Sequence, residues 1–285
     1  MSKSESTDDM LTFGGHLEVF RKMLFRIIAV VIVLAGVIFY FKTETFQILL
    51  APKDSDFVTF RFIEQLLNAL GMPFHFREYD IPLINTELSS QFMTHITVSC
   101  ILAALLASPY IVIELFRFIS PALYESEKRY SYIVAVVVYA LFILGLLMSY
   151  FVLFPISFQF LGNYQVSDRI ANTITLDSYI STFTTLVFLM GVVFQLPVIA
   201  YVLGKMGFIS APLLKGYRPY ALIVIMVIAA IITPPDLFTL VLVTVPIYAL
   251  YEVSILILKR IAPGDMDEDC LLYTSPSPRD AHESR

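Results

Sequence analysis

Long apolar runs without a charged residue recur along this chain, separated by shorter polar segments. A helix needs about 20 apolar residues to cross a hydrocarbon core of about 30 Å. Six runs match this pattern and predict an all-α polytopic membrane protein with six transmembrane helices. The predicted spans cover residues 23–41, 92–116, 131–154, 178–204, 218–232 and 237–258.

The ends of several spans are predicted from prolines. Pro155 and the following Gly-Asn pair predict that the third span ends near Phe154. The fifth span is short, because residues 219–232 give about 21 Å of helix. The sixth is interrupted by Pro246, and Asp236 is placed to cap its first turn after two prolines that end the fifth.

Composition supports the membrane class. Of 285 residues, 58% are apolar and 15% are charged, against roughly 45–50% and 25% in soluble domains. This balance excludes a soluble globule, a disordered chain and a disulfide scaffold. The net charge of −5 disfavours nucleic acid as a partner.

Basic residues give the orientation. Fourteen of the 19 Lys and Arg residues belong to the N-terminal segment up to Arg26, the second-to-third loop, the fourth-to-fifth loop region up to Arg218, or the C-terminus. The positive-inside rule therefore predicts that both termini are cytoplasmic. The start of the chain shows no small-residue cleavage site, so we expect the first span to be retained.

Three segments lie outside the predicted spans. Residues 1–22 form a cytoplasmic N-terminus whose apolar positions recur at helical spacing, which predicts an interfacial helix bearing a Glu18–Lys22 pair. Residues 23–259 form the membrane domain. Residues 260–285 form a polar tail that we expect to be disordered and hypothesise to be foreign to the natural protein.

The first external loop, residues 42–91, is too long for a plain connector. Its apolar pattern predicts an amphipathic helix that ends at Gly71, carried by Phe62, Leu66, Leu67 and Leu70. Phe74 and Phe76 then alternate with polar residues and indicate a short extended piece. The simplest role for this loop is a cap over the helix ends.

Reactive groups are scarce within the predicted spans. The chain has no metalloprotease or serine-hydrolase motif, and its four histidines are scattered. We therefore expect no enzyme activity, metal or cofactor. Gln195 precedes Pro197, and its amide is either satisfied at a proline kink or functional. Glu114 and Glu252 are interpreted as charges at helix ends near the cytoplasmic face.

The second-to-third loop, residues 120–129, is acidic within basic surroundings because it contains Glu125 and Glu127. Together with Glu18, these carboxylates form either a solvated loop or a docking site for a cationic peptide.

Seven short motifs recur in order along the predicted spans. They are residues 16–22 (HLEVFRK), 51–52 (AP), 118–124 (FISPALY), 154–155 (FP), 194–197 (FQLP), 218–220 (RPY) and 233–236 (TPPD). With these motifs the chain resembles the TatC family, the polytopic core of the twin-arginine protein translocase. The resemblance extends from about residue 16 to residue 259.

The resemblance implies that two glutamates on the cytoplasmic face bind signal peptides with consecutive arginines. One family glutamate falls on Glu127, and the other falls on Val19. Glu18 lies one residue away, which is a rotation of about 100° on a helix. Glu18, Glu125 and Glu114 are therefore the candidates for the second charge.

Other positions follow from the same resemblance. Phe118, Pro121 and Leu123 would shape the loop around Glu127, and Arg21 and Pro52 are further family positions.

The resemblance also implies partners. Single-span TatA-like and TatB-like subunits would pack near Gln195, Thr233 and Asp236, in a multimeric complex of the bacterial inner membrane. The last two short helices would complete a concave bundle that exports folded proteins with the proton gradient. The alternative is a secondary transporter of a small solute, which would show repeated halves and charges near the midplane.

Overall fold

The computed structural model describes residues 13–71, 81–119, 125–165, 167, 172–233 and 236–261. Within them the chain is almost entirely helical. The helices are α1 (Phe13–Tyr40), α2 (Lys42–Leu50), α3 (Val58–Ala69), α4 (Ser90–Leu106), α5 (Ser108–Ile119), α6 (Glu125–Met148), α7 (Phe154–Asn163), α8 (Leu176–Val193), α9 (Leu196–Lys205), α10 (Ala211–Gly216), α11 (Arg218–Ile232) and α12 (Leu237–Ile261). The predicted tail from residue 262 onward and the extended piece at Phe74 and Phe76 lie outside the described residues.

Four helical segments in the described part are long and apolar enough to cross a membrane. They are Leu17–Tyr40, Val134–Asn163, Leu176–Lys205 and Leu237–Ile261. A bent pair, α4 with the first part of α5, gives a fifth. α11 has 15 residues and is shorter than an ordinary span. The chain is therefore a multi-pass membrane protein with four to five candidate spans.

The N-terminal interfacial helix is not a separate element. α1 runs without a break from Phe13 to Tyr40, so the predicted interfacial residues and the first span form one helix. The sequence between Leu17 and Tyr40 contains no proline to end a helix there, and Gly36 is its single glycine. The predicted Glu18–Lys22 ion pair is confirmed, with 2.8 Å between Oε1 and Nζ.

The predicted end of the third span near Phe154 is wrong. α6 passes through a π-helical turn, Ser149–Leu153, directly into α7, and the helix ends at Asn163. A proline lacks an N–H group and its ring collides with a carbonyl one turn back. The wider π turn immediately before Pro155 accommodates this defect, so the helix continues past Pro155 instead of ending.

Two other predicted spans are also broken by prolines. The second is bent by 52° between α4 and α5, with Pro109 in the first turn of α5. The fourth divides at Phe194 and Gln195, with Pro197 at the second position of α9. The break at Pro197 was predicted, whereas the bend before Pro109 was not.

The predicted helix in the first external loop is confirmed as α3, and Gly71 follows its end with φ +80°. Only glycine adopts this backbone conformation readily. Phe60 is buried, whereas Phe62, Leu66 and Leu70 are exposed, so the predicted apolar stripe does not face the core. The structure adds a short parallel ladder, β1 (Leu83–Ile84) with β2 (Ile174–Thr175), that joins this loop to the segment before α8.

The core lies between α4, α7, α8, α11 and α12. At its α7–α8 end, the Phe154 ring packs edge to face against the rings of Tyr179 and Phe183, and the Tyr179 hydroxyl donates to the Leu49 carbonyl at 3.0 Å. α6 and α8 approach closely at Gly145 because glycine has no Cβ. A Cβ at this position would lie 2.7 Å from the Met190 carbonyl oxygen. The polar cluster described next lies on α1 and α5, away from this core.

Candidate functional site

A buried carboxylate lies where α1 meets α5. The Glu114 side chain is only 2% exposed. Its Oε2 atom accepts a hydrogen bond from Nη2 of Arg26 on α1 at 2.6 Å. Its Oε1 atom accepts from Nη1 of Arg117 at 3.1 Å and from the Tyr110 hydroxyl at 3.2 Å. We refer to Arg26, Tyr110, Glu114 and Arg117 as the Glu114 cluster.

The sequence prediction for Glu114 needs correction. We expected a solvated charge at a helix end, but both carboxylate oxygens are bonded inside the protein. An isolated buried charge is strongly disfavoured, so two guanidiniums and a hydroxyl replace the lost water. Arg26, which lies within the first apolar run, is the nearest basic partner of Glu114.

Phe118 lies one helical turn after Glu114 and contacts α1 as well. Its ring packs edge to face against Phe20, with 5.7 Å between the ring centroids. Side chains four residues apart on a helix share a face. The ion pair and the aromatic pair therefore hold the end of α5 against α1. The second-to-third loop predicted at residues 120–129, which we call the recognition loop, follows directly in the sequence.

The acidic residues of that loop are placed by α6. This helix begins at Glu125, so Glu125 and Glu127 lie in its first turn, where the helix dipole favours carboxylates. Their side chains lie outside the described residues, as do Pro121 and Leu123. Ile119 is the last described residue before them, so the α1–α5 contacts lead directly into the loop.

The N-terminal positions are exposed along α1. Val19 and Arg21 are both exposed, and Glu18 forms its ion pair with Lys22. The structure therefore does not bring Glu18 into the Glu114 cluster. Of the two candidates whose side chains the structure describes, Glu18 pairs with a lysine and Glu114 binds guanidinium groups.

A second polar cluster joins the start of α11 to α12. Glu252 accepts from Nη2 of Arg218 at 2.6 Å and from the Tyr248 hydroxyl at 3.1 Å. The Glu252 side chain is 32% exposed, so the protein encloses it less than it encloses Glu114. We refer to Arg218, Tyr248 and Glu252 as the Glu252 cluster.

Gln195 links two helices at the break between α8 and α9. Its Nε2 atom donates to the Val138 carbonyl on α6 at 3.1 Å and to the Gly191 carbonyl at 3.4 Å. The proline kink alone thus does not account for it, because the nearer partner is on another helix. Its Oε1 atom is buried without a hydrogen-bond partner in the described part of the chain.

The remaining predicted residues have structural contacts. Asp236 caps α12 as predicted, because its Oδ1 atom accepts from the Thr239 amide at 2.6 Å. Thr233 is buried at the end of α11, where its hydroxyl donates to the Ala229 carbonyl at 2.9 Å. Pro52 is buried in the 3₁₀ turn Ala51–Lys53 after α2.

Comparison with known proteins decides the family. The family model described as "TatC: Sec-independent protein translocase protein (TatC)" matches residues 15–246. The chain belongs to the TatC family. The match includes all of the Glu114 cluster, Glu127 and Gln195.

Curated TatC relatives cover most of this chain. The Sec-independent protein translocase protein TatC of Blattabacterium sp. subsp. Periplaneta americana is 33% identical over 87% of this chain and 94% of its own length. The TatC of Escherichia coli K12 is 33% identical, with 88% of each chain covered. A solved structure described as "Twin Arginine Translocase Receptor- TatC" matches with a TM-score of 0.68 at 32% identity, covering 86% of this chain and 99% of that one.

TatC membership establishes a component of a protein translocase and gives no support to the small-solute transporter. Family membership does not by itself identify the Glu114 cluster. Of its four residues, only the glutamate was predicted from the sequence as a candidate. Tyr110, Glu114 and Arg117 stand at i, i+4 and i+7, a spacing that places all three on one helix face. That spacing was an available signal. Arg26 is 88 positions away in the chain, and its pairing could be read only from the packing of α1 on α5.

Proposed function

We propose that this chain is the receptor and scaffold of a twin-arginine translocase, which exports folded proteins with the proton gradient. It binds the signal peptide at the surface formed by the start of α1, the end of α5 and the start of α6. The main support is the family match across residues 15–246, together with the carboxylates that the first turn of α6 carries at this surface. The solved relative is itself named a twin-arginine translocase receptor.

The recognition chemistry follows from the guanidinium group. Two neighbouring arginines each offer a planar fork of N–H donors that can hold a carboxylate through two parallel hydrogen bonds. Lysine has a single ammonium group and cannot reproduce this geometry. Glu127 is the proposed first acceptor, while the Phe20–Phe118 contact fixes the helix end before its loop.

The proposed topology has six spans with both termini in the cytoplasm of the bacterial inner membrane. α11 is the fifth span, and its 15 residues need a thinned bilayer or a recessed position. Helix α12, which returns across the membrane, begins four residues after Thr233 at a turn capped by Asp236.

TatA-like and TatB-like single-span subunits are the proposed partners in a multimeric complex. Gln195 is a candidate contact because its Oε1 atom is buried without a partner in the described part of the chain. Beside it, a cavity of about 340 Å³ opens between α6, α9 and α12. The cavity is apolar and is lined by Val134, Val137, Leu141, Pro197, Val198, Tyr201 and Ile257.

The test is crosslinking to a peptide bearing consecutive arginines. Glu127→Gln keeps the size of the side chain and removes its charge, so we expect crosslinking to weaken by about tenfold or more. The matched control is Glu87→Gln, an exposed glutamate in the first external loop, which should leave crosslinking unchanged. Both variants should reach the membrane at the wild-type level.

Undiminished crosslinking of Glu127→Gln would place the recognition site elsewhere. Equal losses in both variants would show that the effect is general electrostatics and would also contradict the proposal.

A further inference from the structure

The Glu114 cluster already contains two guanidinium groups, the same groups that a twin-arginine peptide would bring to it. One buried carboxylate holds two guanidiniums, Arg26 on Oε2 and Arg117 on Oε1. The cluster therefore carries two positive charges against one negative charge. A third guanidinium could approach Glu114 only if one of the two present arginines left, because the like charges repel each other.

The two arginines are held unequally. Arg26 lies 2.6 Å from the carboxylate and is half exposed, whereas Arg117 lies 3.1 Å away and is 70% exposed. The Arg117 contact is the longer of the two and its guanidinium is the less enclosed, so it contributes less than the Arg26 contact. Arg117 is therefore the partner that leaves at lower cost. Its departure leaves the Tyr110 hydroxyl as the remaining described donor to Oε1 and frees that atom for another donor.

We propose that Glu114 is a guanidinium-exchange site in which Arg117 is an internal occupant. On binding, one arginine of the signal peptide replaces Arg117 on Oε1, while Arg26 stays on Oε2. Glu114 then supplies the second carboxylate, which the family resemblance places at the position that Val19 occupies in this chain. This inference rests on the proposed receptor function and assigns a role to two residues beyond it.

The location supports the exchange. Glu114 is one helical turn before Phe118, and the recognition loop begins directly after the same helix. Glu18 is less suited to the second position, since it is paired with Lys22 on an exposed part of α1. A carboxylate that already binds guanidiniums needs only the displacement of Arg117 to accept another.

The decisive variant is Arg117→Gln, measured by titrating the full-length protein in nanodiscs with a fluorescent Arg-Arg peptide. Because Arg117 is exposed, this change should leave folding intact. We expect the peptide to bind up to about fivefold tighter, the largest gain that removal of an exposed competing ion pair allows. The control Arg260→Gln removes an exposed arginine from the end of α12 and should not change the affinity.

A double-mutant cycle separates exchange from general electrostatics. In a Glu114→Gln background, Arg117→Gln should have no further effect, since the carboxylate it competes for is gone. Weaker or unchanged binding in Arg117→Gln would overturn the proposal, and so would an equal gain in Arg260→Gln or in the Glu114→Gln background.

The two proposals fail in distinguishable ways. Should Glu127→Gln bind the peptide as well as the wild type does, the receptor surface itself is wrong. Should Glu127→Gln lose binding while Arg117→Gln gains none, the receptor proposal stands and the exchange proposal is wrong.

Discussion

The Glu114 and Glu252 clusters use the same local arrangement in different surroundings. In each, a tyrosine four residues earlier donates to the glutamate, and an arginine from another helix donates at 2.6 Å. The Glu114 side chain is almost fully buried and has two arginines, whereas Glu252 is one-third exposed and has one.

From this difference we infer that burial, not the bonding pattern, determines how much an ion pair contributes to the stability of the protein. The protein encloses Glu252 less, so we expect its ion pair to contribute less to stability and to tolerate change. At Glu114 the protein must supply every contact, and removing the charge leaves two guanidiniums facing each other. We therefore assign the ligand-exchange role to the Glu114 cluster and a helix-joining role to the Glu252 cluster.

The largest expected effect comes from neutralising the two glutamates in turn. Glu114→Gln should lower the midpoint of thermal unfolding in detergent by several degrees, because Arg26 and Arg117 lose their shared counter-charge. Glu252→Gln removes the counter-charge of Arg218 at a more open site, where the Arg218 side chain is 45% exposed, and should change the midpoint much less. Thermal unfolding followed by size-exclusion fluorescence measures both. Equal shifts would show that burial does not distinguish the clusters.

A smaller effect is expected from the two tyrosine hydroxyls. Tyr110→Phe removes a donor to a buried carboxylate and should reduce the free energy of unfolding by about 1 kcal/mol. Tyr248→Phe removes the equivalent donor from a carboxylate that the protein encloses less, so the reduction in the free energy of unfolding should be smaller. Denaturant titration of the two variants checks the order, and a larger loss for Tyr248→Phe would reverse the comparison.

Much of the fold could be predicted from local sequence patterns. The helix in the first external loop, its end at Gly71, the cap at Asp236 and the Glu18–Lys22 pair all depend on residues within a few positions of one another. Such signals are fixed by helix geometry and capping chemistry. The apolar runs likewise indicated a multi-pass membrane protein.

The sequence-based predictions that failed concerned helix ends at prolines and contacts between residues distant in the chain. Pro155 alone suggests a helix end, but the π turn before it depends on packing that no local pattern shows. The partner of Glu114 lies on α1 and the partner of Gln195 on α6, each far away in the chain. In membranes, buried polar groups are satisfied across helices, so their roles are decided by packing.

The most direct test of the central claim compares two peptides on the solubilised wild-type chain. One carries Arg-Arg and the other carries Lys-Lys at the same positions, so charge is constant and only guanidinium geometry differs. The account predicts that the Arg-Arg peptide binds about tenfold tighter or more, through paired hydrogen bonds to carboxylates. Equal affinity for the two peptides would contradict it.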